Sequence, residues 1–196
     1  MAKRRKLGIV IFDEVEVLDF CGPFEVFSVT GGREGLQPFD VFTVAEESRP
    51  ITARGGLSVN PAYSFESCPS PDILLVPGGF GTRREMNNAK LLEWLTAQAS
   101  RVELVLSVCS GSLLLARIGL LDRLTATTHY AALDELRSVS SSITIDSSRR
   151  FIDNGHVIIS AGISAGIDMS LYVVSRLLGI EQAIETAQYM EYQWQP

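Results

Sequence analysis

Leu104-Val105-Leu106-Ser107-Val108-Cys109-Ser110-Gly111-Ser112-Leu113-Leu114-Leu115 is the stretch that decides how this chain folds. Residues 104–108 form a short apolar run, as expected of a strand covered on both faces. The leucines that follow read as a helix continuing to Ile118. Cys109 falls on the join with small residues after it, and this spacing predicts a sharp strand-to-helix turn that exposes the sulfur. The helix N-terminus behind it is expected to stabilise a thiolate. A buried, inert cysteine is the alternative reading of the same pattern.

Outward from this turn, short β-branched runs alternate with helical patterns, which is how a mostly parallel α/β sheet reads. Residues 7–12 are nearly unbroken apolar and 39–45 give a second strand. Ile73-Leu74-Leu75-Val76 is a third central strand, ended by Pro77-Gly78-Gly79, and Val157-Ile158-Ile159 follows later. Gly22-Pro23 punctuates, and Pro23 suits the first turn of a helix running through Phe24, Val26 and Phe27 to Gly31-Gly32. Residues 49–59, with Gly55-Gly56 inside, read as a hairpin. Residues 88–99 carry Leu91, Leu92 and Leu95 at helical spacing. After a small-residue loop over 160–166, two amphipathic patterns, 167–178 and 181–192, are separated by Gly179. No internal repeat or low-complexity tract intervenes. The expectation is one doubly wound domain over residues 1–196, with 1–6 as a flexible basic leader.

Composition narrows the function classes. The 196 residues are 46% hydrophobic and 20% charged, which excludes a disordered or solvating chain. The net charge of −6 makes nucleic acid an unexpected partner, Lys3-Arg4-Arg5-Lys6 being the only basic cluster. No apolar run approaches the roughly 18 residues of a membrane span. The apolar stretch of about six residues after the basic start is too short for a signal peptide. Cys21, Cys68 and Cys109 are an odd number without a CxxC pair, and His129 and His156 are the only histidines. A disulfide framework, a metal centre and a bound cofactor are therefore not expected, and a cytoplasmic location is.

Ligands of open α/β sheets bind beyond the carboxyl ends of the strands. Four punctuation points fall there: Asp19 to Pro23, Pro77-Gly78-Gly79, Cys109-Ser110-Gly111, and residues 160–166. Gly78 and Gly79 allow backbone N–H groups to approach a ligand and hold developing negative charge beside the sulfur, with a plain tight turn as the alternative. Asp19 lies among Val17, Leu18 and Phe20, so its carboxyl is expected to be desolvated, raised in pKa and suited to acid/base work. A helix cap is the competing role. The loop at 160–166 lacks a P-loop lysine and G-x-G-x-x-G spacing, which argues against nucleotide binding. Cys21 is expected to pack as a small hydrophobe and Cys68 to be a surface thiol. His156 is expected in a hairpin turn without chemistry, and Glu25 in the first turn of a helix.

Taken together these residues resemble a known family. Asp19-Phe20-Cys21-Gly22-Pro23-Phe24-Glu25-Val26-Phe27 matches the D-x-x-G-P-x-E-V-F pattern of a branch of the ThiJ/PfpI superfamily. Ser107-Val108-Cys109-Ser110-Gly111 resembles its nucleophile elbow and Thr127-Thr128-His129 its T-T-H turn. The run from Ser160 through Ala161, Gly162, Ile163 and Gly166 to Asp168 is similar to its closing S-A-G-x-x-A-G-I-D segment. The resemblance implies a flavodoxin-like three-layer sandwich with helices on both faces. Protease-like members carry a histidine after the cysteine, where this chain has Ser110. Stress-response and glyoxalase-like members usually carry glutamate where it has Asp19.

Aspartate with the G-P-x-E-V-F continuation is similar to isonitrile hydratases, which convert an isonitrile and water into an N-substituted formamide. By this resemblance Cys109 is the nucleophile, Asp19 the acid/base and Ser110 the accompanying hydroxyl, threonine in many of those enzymes. Gly78, Gly79, His129 and Ile163 are then the oxyanion and pocket residues, with the Gly79 and Ser110 N–H groups holding developing charge and Phe20 and Phe80 setting the pocket's size; a structural histidine bonded to backbone is the competing reading of His129. The same resemblance extends to the ligand-sensing domain of AraC-type regulators, although the chain shows no basic recognition helix. A redox-responsive chaperone or deglycase-like protein is a third reading, disfavoured by aspartate at position 19. A small-molecule ligand and a homodimer are implied as partners, with Phe24, Phe27 and the stretch 189–194 as apolar candidates for the interface.

Overall fold

The computed structural model describes residues 4–32 and 35–196. The chain lays down β1 (Arg5–Val10), α1 (Val17–Val29) and β2 (Phe39–Ala45). A small antiparallel hairpin follows, β3 (Ile51–Thr52) with β4 (Ser58–Val59), then β5 (Tyr63–Ser64) and β6 (Ile73–Val76). Next come α2 (Thr82–Glu85), α3 (Ala89–Ala99), β7 (Leu104–Ser107) and α4 (Gly111–Arg117). β8 (Thr125–Ala126), α5 (Leu133–Val139) and β9 (Thr144–Ile145) form a side unit. The last elements are β10 (Phe151–Asp153), β11 (Val157–Ser160), α6 (Ala165–Leu178) and α7 (Ile180–Tyr189).

Seven strands form the main sheet in the order β10-β11-β7-β6-β1-β2-β5. All neighbours pair in parallel except β10 with β11. The reason is written in the strands: every residue of β6, β7 and β11 is buried, as is the second half of β1. Apolar runs without alternation need cover on both faces. From β1 the chain steps to β2 on one side, then crosses back to β6 and continues outward to β7 and β11. Right-handed crossovers place α1 on one face and α3 and α4 on the other. α1 packs on α6, and α6 on α7, to complete its face. This is the flavodoxin-like α/β sandwich expected from sequence. Its direction reverses between β1 and β6, so the crevice beyond their carboxyl ends is where a ligand site belongs.

Several boundaries differ from expectation. Arg5 and Lys6, read as part of a leader, open β1 against Phe39 and Asp40, while residues 1–3 lie outside the described residues. α1 begins at Val17, so Pro23 sits inside the helix rather than in its first turn, and Asp19 takes the first turn instead. The cause is tertiary: the Glu16 N–H donates to the Gly78 carbonyl, and Val15 bridges to Gly79. Those contacts fix the helix start six residues ahead of the proline. Phe27 is buried at 1% exposure while Phe24 remains 37% exposed, so only Phe24 faces outward. Glu25 is exposed in the middle of α1, away from any helix end. α6 and α7 begin two and one residues earlier than the amphipathic periods. β10 and β11 form the antiparallel hairpin whose turn is expected at 153–156, whereas β5 and β9 have no counterpart in the sequence reading, because runs of two residues carry no readable period.

Candidate active site

β7 runs straight into the elbow. Cys109 has φ +57, a left-handed conformation rare for a residue with a side chain, and lies between β7 and α4. Three contacts hold it there. Its N–H donates to the Ala161 carbonyl at 3.0 Å, its carbonyl accepts from Thr128 Oγ1 at 2.9 Å, and the Val108 N–H reaches the Val76 carbonyl at 3.1 Å. Two motifs visible in the sequence, the T-T-H turn and the 160–166 loop, thus brace the elbow from either side.

Asp19 reaches the sulfur from the first turn of α1. It is fully buried, its Oδ2 accepts from the Gly78 N–H at 3.0 Å, and its Oδ1 has no hydrogen bond of ordinary geometry. Burial pushes this carboxyl up to about 7, against the Gly78 N–H and the Cys109 thiol, both of which favour the carboxylate. The direction agrees with the sequence expectation.

The thiol departs from it. Burial pushes the Cys109 thiol up to about 12, with the Asp19 carboxylate adding to the rise. The N–H groups of Ser110 and Ile163 bond the sulfur and oppose the shift. The turn therefore does not expose the sulfur, which belongs to a residue only 6% accessible. A helix of seven residues does not outweigh desolvation plus a neighbouring acid. The geometry places carboxyl and thiol within reach of one shared proton.

The glycines also act differently from expectation. The Gly78 N–H is spent on Asp19 and the Gly79 N–H on Ser110 Oγ at 3.0 Å, so neither is a free oxyanion donor. Ser110 is buried, and its Oγ also donates to the Gly79 carbonyl. The donors aimed at the sulfur are the Ser110 N–H, as expected, and the N–H of Ile163, which a φ of +48 turns inward. A β-branched residue in that conformation has no signature in the sequence. A side chain at Gly78 has no room, since its Cβ would lie 2.7 Å from Ser110 Oγ and 2.9 Å from Asp19 Oδ2. Gly78→Ala is expected to destabilise the protein by about 1–3 kcal/mol through overpacking. Calorimetry should show Tm falling by roughly 5 °C; an unchanged Tm would mean that the crowding relaxes without cost.

A cavity of about 190 Å³ opens over the sulfur, walled by Glu16, Phe80, Arg83, Ala131, His129 and Ile163. That size suits a small substrate rather than a cofactor-sized one. Ile163, Phe80 and His129 line it as expected, whereas Phe20 is buried in the core. His129 serves two roles: its Nδ1 accepts from the Ala131 N–H at 3.2 Å while the ring faces the cavity. Cys21 is half-buried and packs on the core, and Cys68, expected at the surface, does the same with its thiol raised to about 11 by burial. His156 lies against the carbonyls of Glu103 and Ala99. A larger cavity of about 430 Å³ lies beyond β1 and β2. Its charges are paired, Arg49 with Asp13 and Arg84 with Glu85, and neither it nor a cavity of about 390 Å³ beside His129 and Arg150 is lined by Cys109, so the smaller cavity over the sulfur is the candidate site. No group of three or more acidic, histidine or cysteine side chains suited to a metal occurs among the described residues, nor is any helix long and apolar enough to cross a membrane.

A doubly wound sheet with a positive-φ cysteine at the strand-to-helix join and a buried carboxyl on its sulfur defines a class of α/β proteins with a strand-to-helix elbow. Within that class, the chain belongs to the DJ-1/PfpI family, whose sequence profile matches residues 5–176. It is 34% identical over 187 residues to an isonitrile hydratase of Pseudomonas putida, covering 95% of this chain and 78% of that protein. It is 25% identical over 189 residues to the HTH-type transcriptional regulator GbdR of Pseudomonas aeruginosa, covering 96% of this chain. The chain spans about half of that regulator, 51%. Among solved structures, a ThiJ/PfpI family protein from Pseudomonas syringae superposes with TM-score 0.87 at 28% identity, covering 99% of this chain and 77% of that one.

Proposed function

We propose that this protein is a cofactor-free enzyme that adds water to an isonitrile, giving an N-substituted formamide. The observation that carries the reading is the buried Asp19–Cys109 pair under a small cavity, with Asp19 Oδ1 left as an unsatisfied acceptor. The relation to an isonitrile hydratase at 34% identity supports the choice of substrate.

The chemistry balances on these residues. The Asp19 carboxylate accepts the Cys109 thiol proton as sulfur bonds to the isonitrile carbon, and that proton passes to the same carbon to give a thioimidate. Asp19, again a carboxylate, takes a proton from water as its oxygen adds to the carbon, and nitrogen gains that proton. The C–S bond then breaks, the hydroxyl proton returns through Asp19 to sulfur, and the formamide leaves. Ser110 positions the Gly79 loop against the elbow, and the Ser110 and Ile163 N–H groups hold charge on the sulfur as it leaves.

Formamide formation from a simple alkyl isonitrile by the purified chain is the test. Turnover is expected, and none with reduced Cys109 would sink the reading. The regulator relationship favours a second one, in which the same cavity binds its ligand without turnover. Saturable binding of the isonitrile with no formamide would select it. We further propose a homodimer, for which Leu18 and Phe24 expose an apolar edge of α1, and sedimentation at micromolar concentration decides it.

A further inference from the structure

The cavity over Cys109 contains a carboxylate that no cation among the described residues neutralises. Arg83, on its wall, places Nη2 on Glu135 Oε2 at 2.6 Å and Nη1 on the Gly79 carbonyl and Thr82 Oγ1. Arg54 stacks its guanidinium 3.8 Å over the Phe80 ring and lies 3.4 Å from the Glu14 carboxylate. Each guanidinium therefore has a carboxylate of its own. Glu16 is different. It is half-buried on the same wall, its backbone N–H fixed by the Gly78 carbonyl, and its carboxylate has no hydrogen bond or ion pair among the described residues. The group it acts on across the site is Asp19, another acid, which it repels.

Two balanced cations and an unpaired anion in Glu16, joined by Asp19 wherever that carboxyl is ionised, leave a negative potential at the mouth. The apolar walls of Phe80, Ala131 and Ile163 concentrate that potential inside the cavity. An anionic ligand must enter against it, and a cationic one is drawn in. We propose that Glu16 is a specificity-determining residue that makes this cavity favour small ligands with an ammonium-type positive charge beside the reacting group and disfavour carboxylates and sulfonates. The inference rests on the reading of Cys109 as the reactive centre of this cavity, but not on the bond made there.

The test uses Cys109 itself as the reporter, independent of turnover. Three methanethiosulfonates, bearing a trimethylammonioethyl, a methyl or a sulfonatoethyl group, are reacted with the purified chain at low salt. Modification of the Cys109 peptide is followed by mass spectrometry. Each rate is divided by that of a free thiol, and the neutral reagent corrects for accessibility common to all three. The cationic reagent is expected to be favoured over the anionic one by roughly tenfold or more. Glu16→Gln should lower that ratio several-fold, Asp19 supplying what remains, while Glu16→Asp, which keeps the charge, should retain most of it. An unchanged ratio in Glu16→Gln, or preference for the anionic reagent in the unaltered protein, overturns the proposal. If the ratio drops but no isonitrile is hydrated, the selectivity stands and the hydratase reading falls. If isonitriles are hydrated and the ratio does not move, the reverse holds.

Discussion

Cys109→Ala is expected to lower formamide production by about a thousandfold or more, the scale seen when a covalent nucleophile is removed. The same change should leave the fold nearly untouched. Alanine meets the same left-handed backbone as the cysteine does at φ +57, so the substitution adds no new strain. The contacts that fix the elbow involve its backbone, through Ala161 and Thr128, and they survive loss of the sulfur. The thiol's contact with the Asp19 carboxyl is the one side-chain interaction that the substitution gives up. Activity followed by formamide appearance, alongside a thermal melt, separates the two effects. Retention of more than a tenth of the activity in a folded Cys109→Ala protein would remove Cys109 from the mechanism. Cys109→Ser should also be nearly inactive, because a hydroxyl gives up its proton to Asp19 far less readily than a thiol does.

The parts of this site legible in the sequence are those with a local cause. β6 and β7 read as buried strands because Ile73 to Val76 and Leu104 to Ser107 have no polar face, and Cys109 followed by Ser110-Gly111 marks the turn. Asp19 is legible as a desolvated acid from its apolar neighbours, and its raised pKa agrees. What the sequence does not reveal depends on partners 31 to 59 residues away. The amides of Gly78 and Gly79 read as facing a ligand, but each is taken by a side chain from a distant segment, Asp19 and Ser110. The inward turn of the Ile163 amide needs a backbone conformation that a β-branched residue resists, so no propensity points to it. The start of α1 is hidden for the same reason: Gly22-Pro23 is a strong local signal, but the pairing of Val15 and Glu16 with the Gly78-Gly79 loop overrides it. The thiol's state is hidden too, because burial, a property of the whole fold, decides its pKa more than the short helix behind it.

Asp19→Asn is expected to trade activity for stability, in a way that pH exposes. The native carboxyl titrates at about 7 in the folded protein, against 3.8 for an ordinary solvated aspartate. Between those values the folded state holds a proton that the unfolded state has released. Stability therefore falls as pH rises from about 4 to about 7, is greatest below that window and levels off above it. Each pH unit of that window is worth about 1.4 kcal/mol, so the span is about 4 kcal/mol at most. Asparagine is neutral throughout and keeps an oxygen for the Gly78 N–H. It should flatten this part of the stability curve and raise Tm at pH 8, which denaturation at a series of pH values measures. Catalysis should move the other way. In the unaltered protein kcat/KM is expected to rise with pH through about 7, as Asp19 becomes the carboxylate that can accept the thiol proton. In Asp19→Asn that limb should vanish and the rate should drop by roughly 100-fold or more, the range for loss of a general base. A variant that is inactive but no more stable at pH 8 would mean that Asp19 is not held at a cost in the fold. A variant that keeps both the rate and the rising limb would mean that another group accepts the proton.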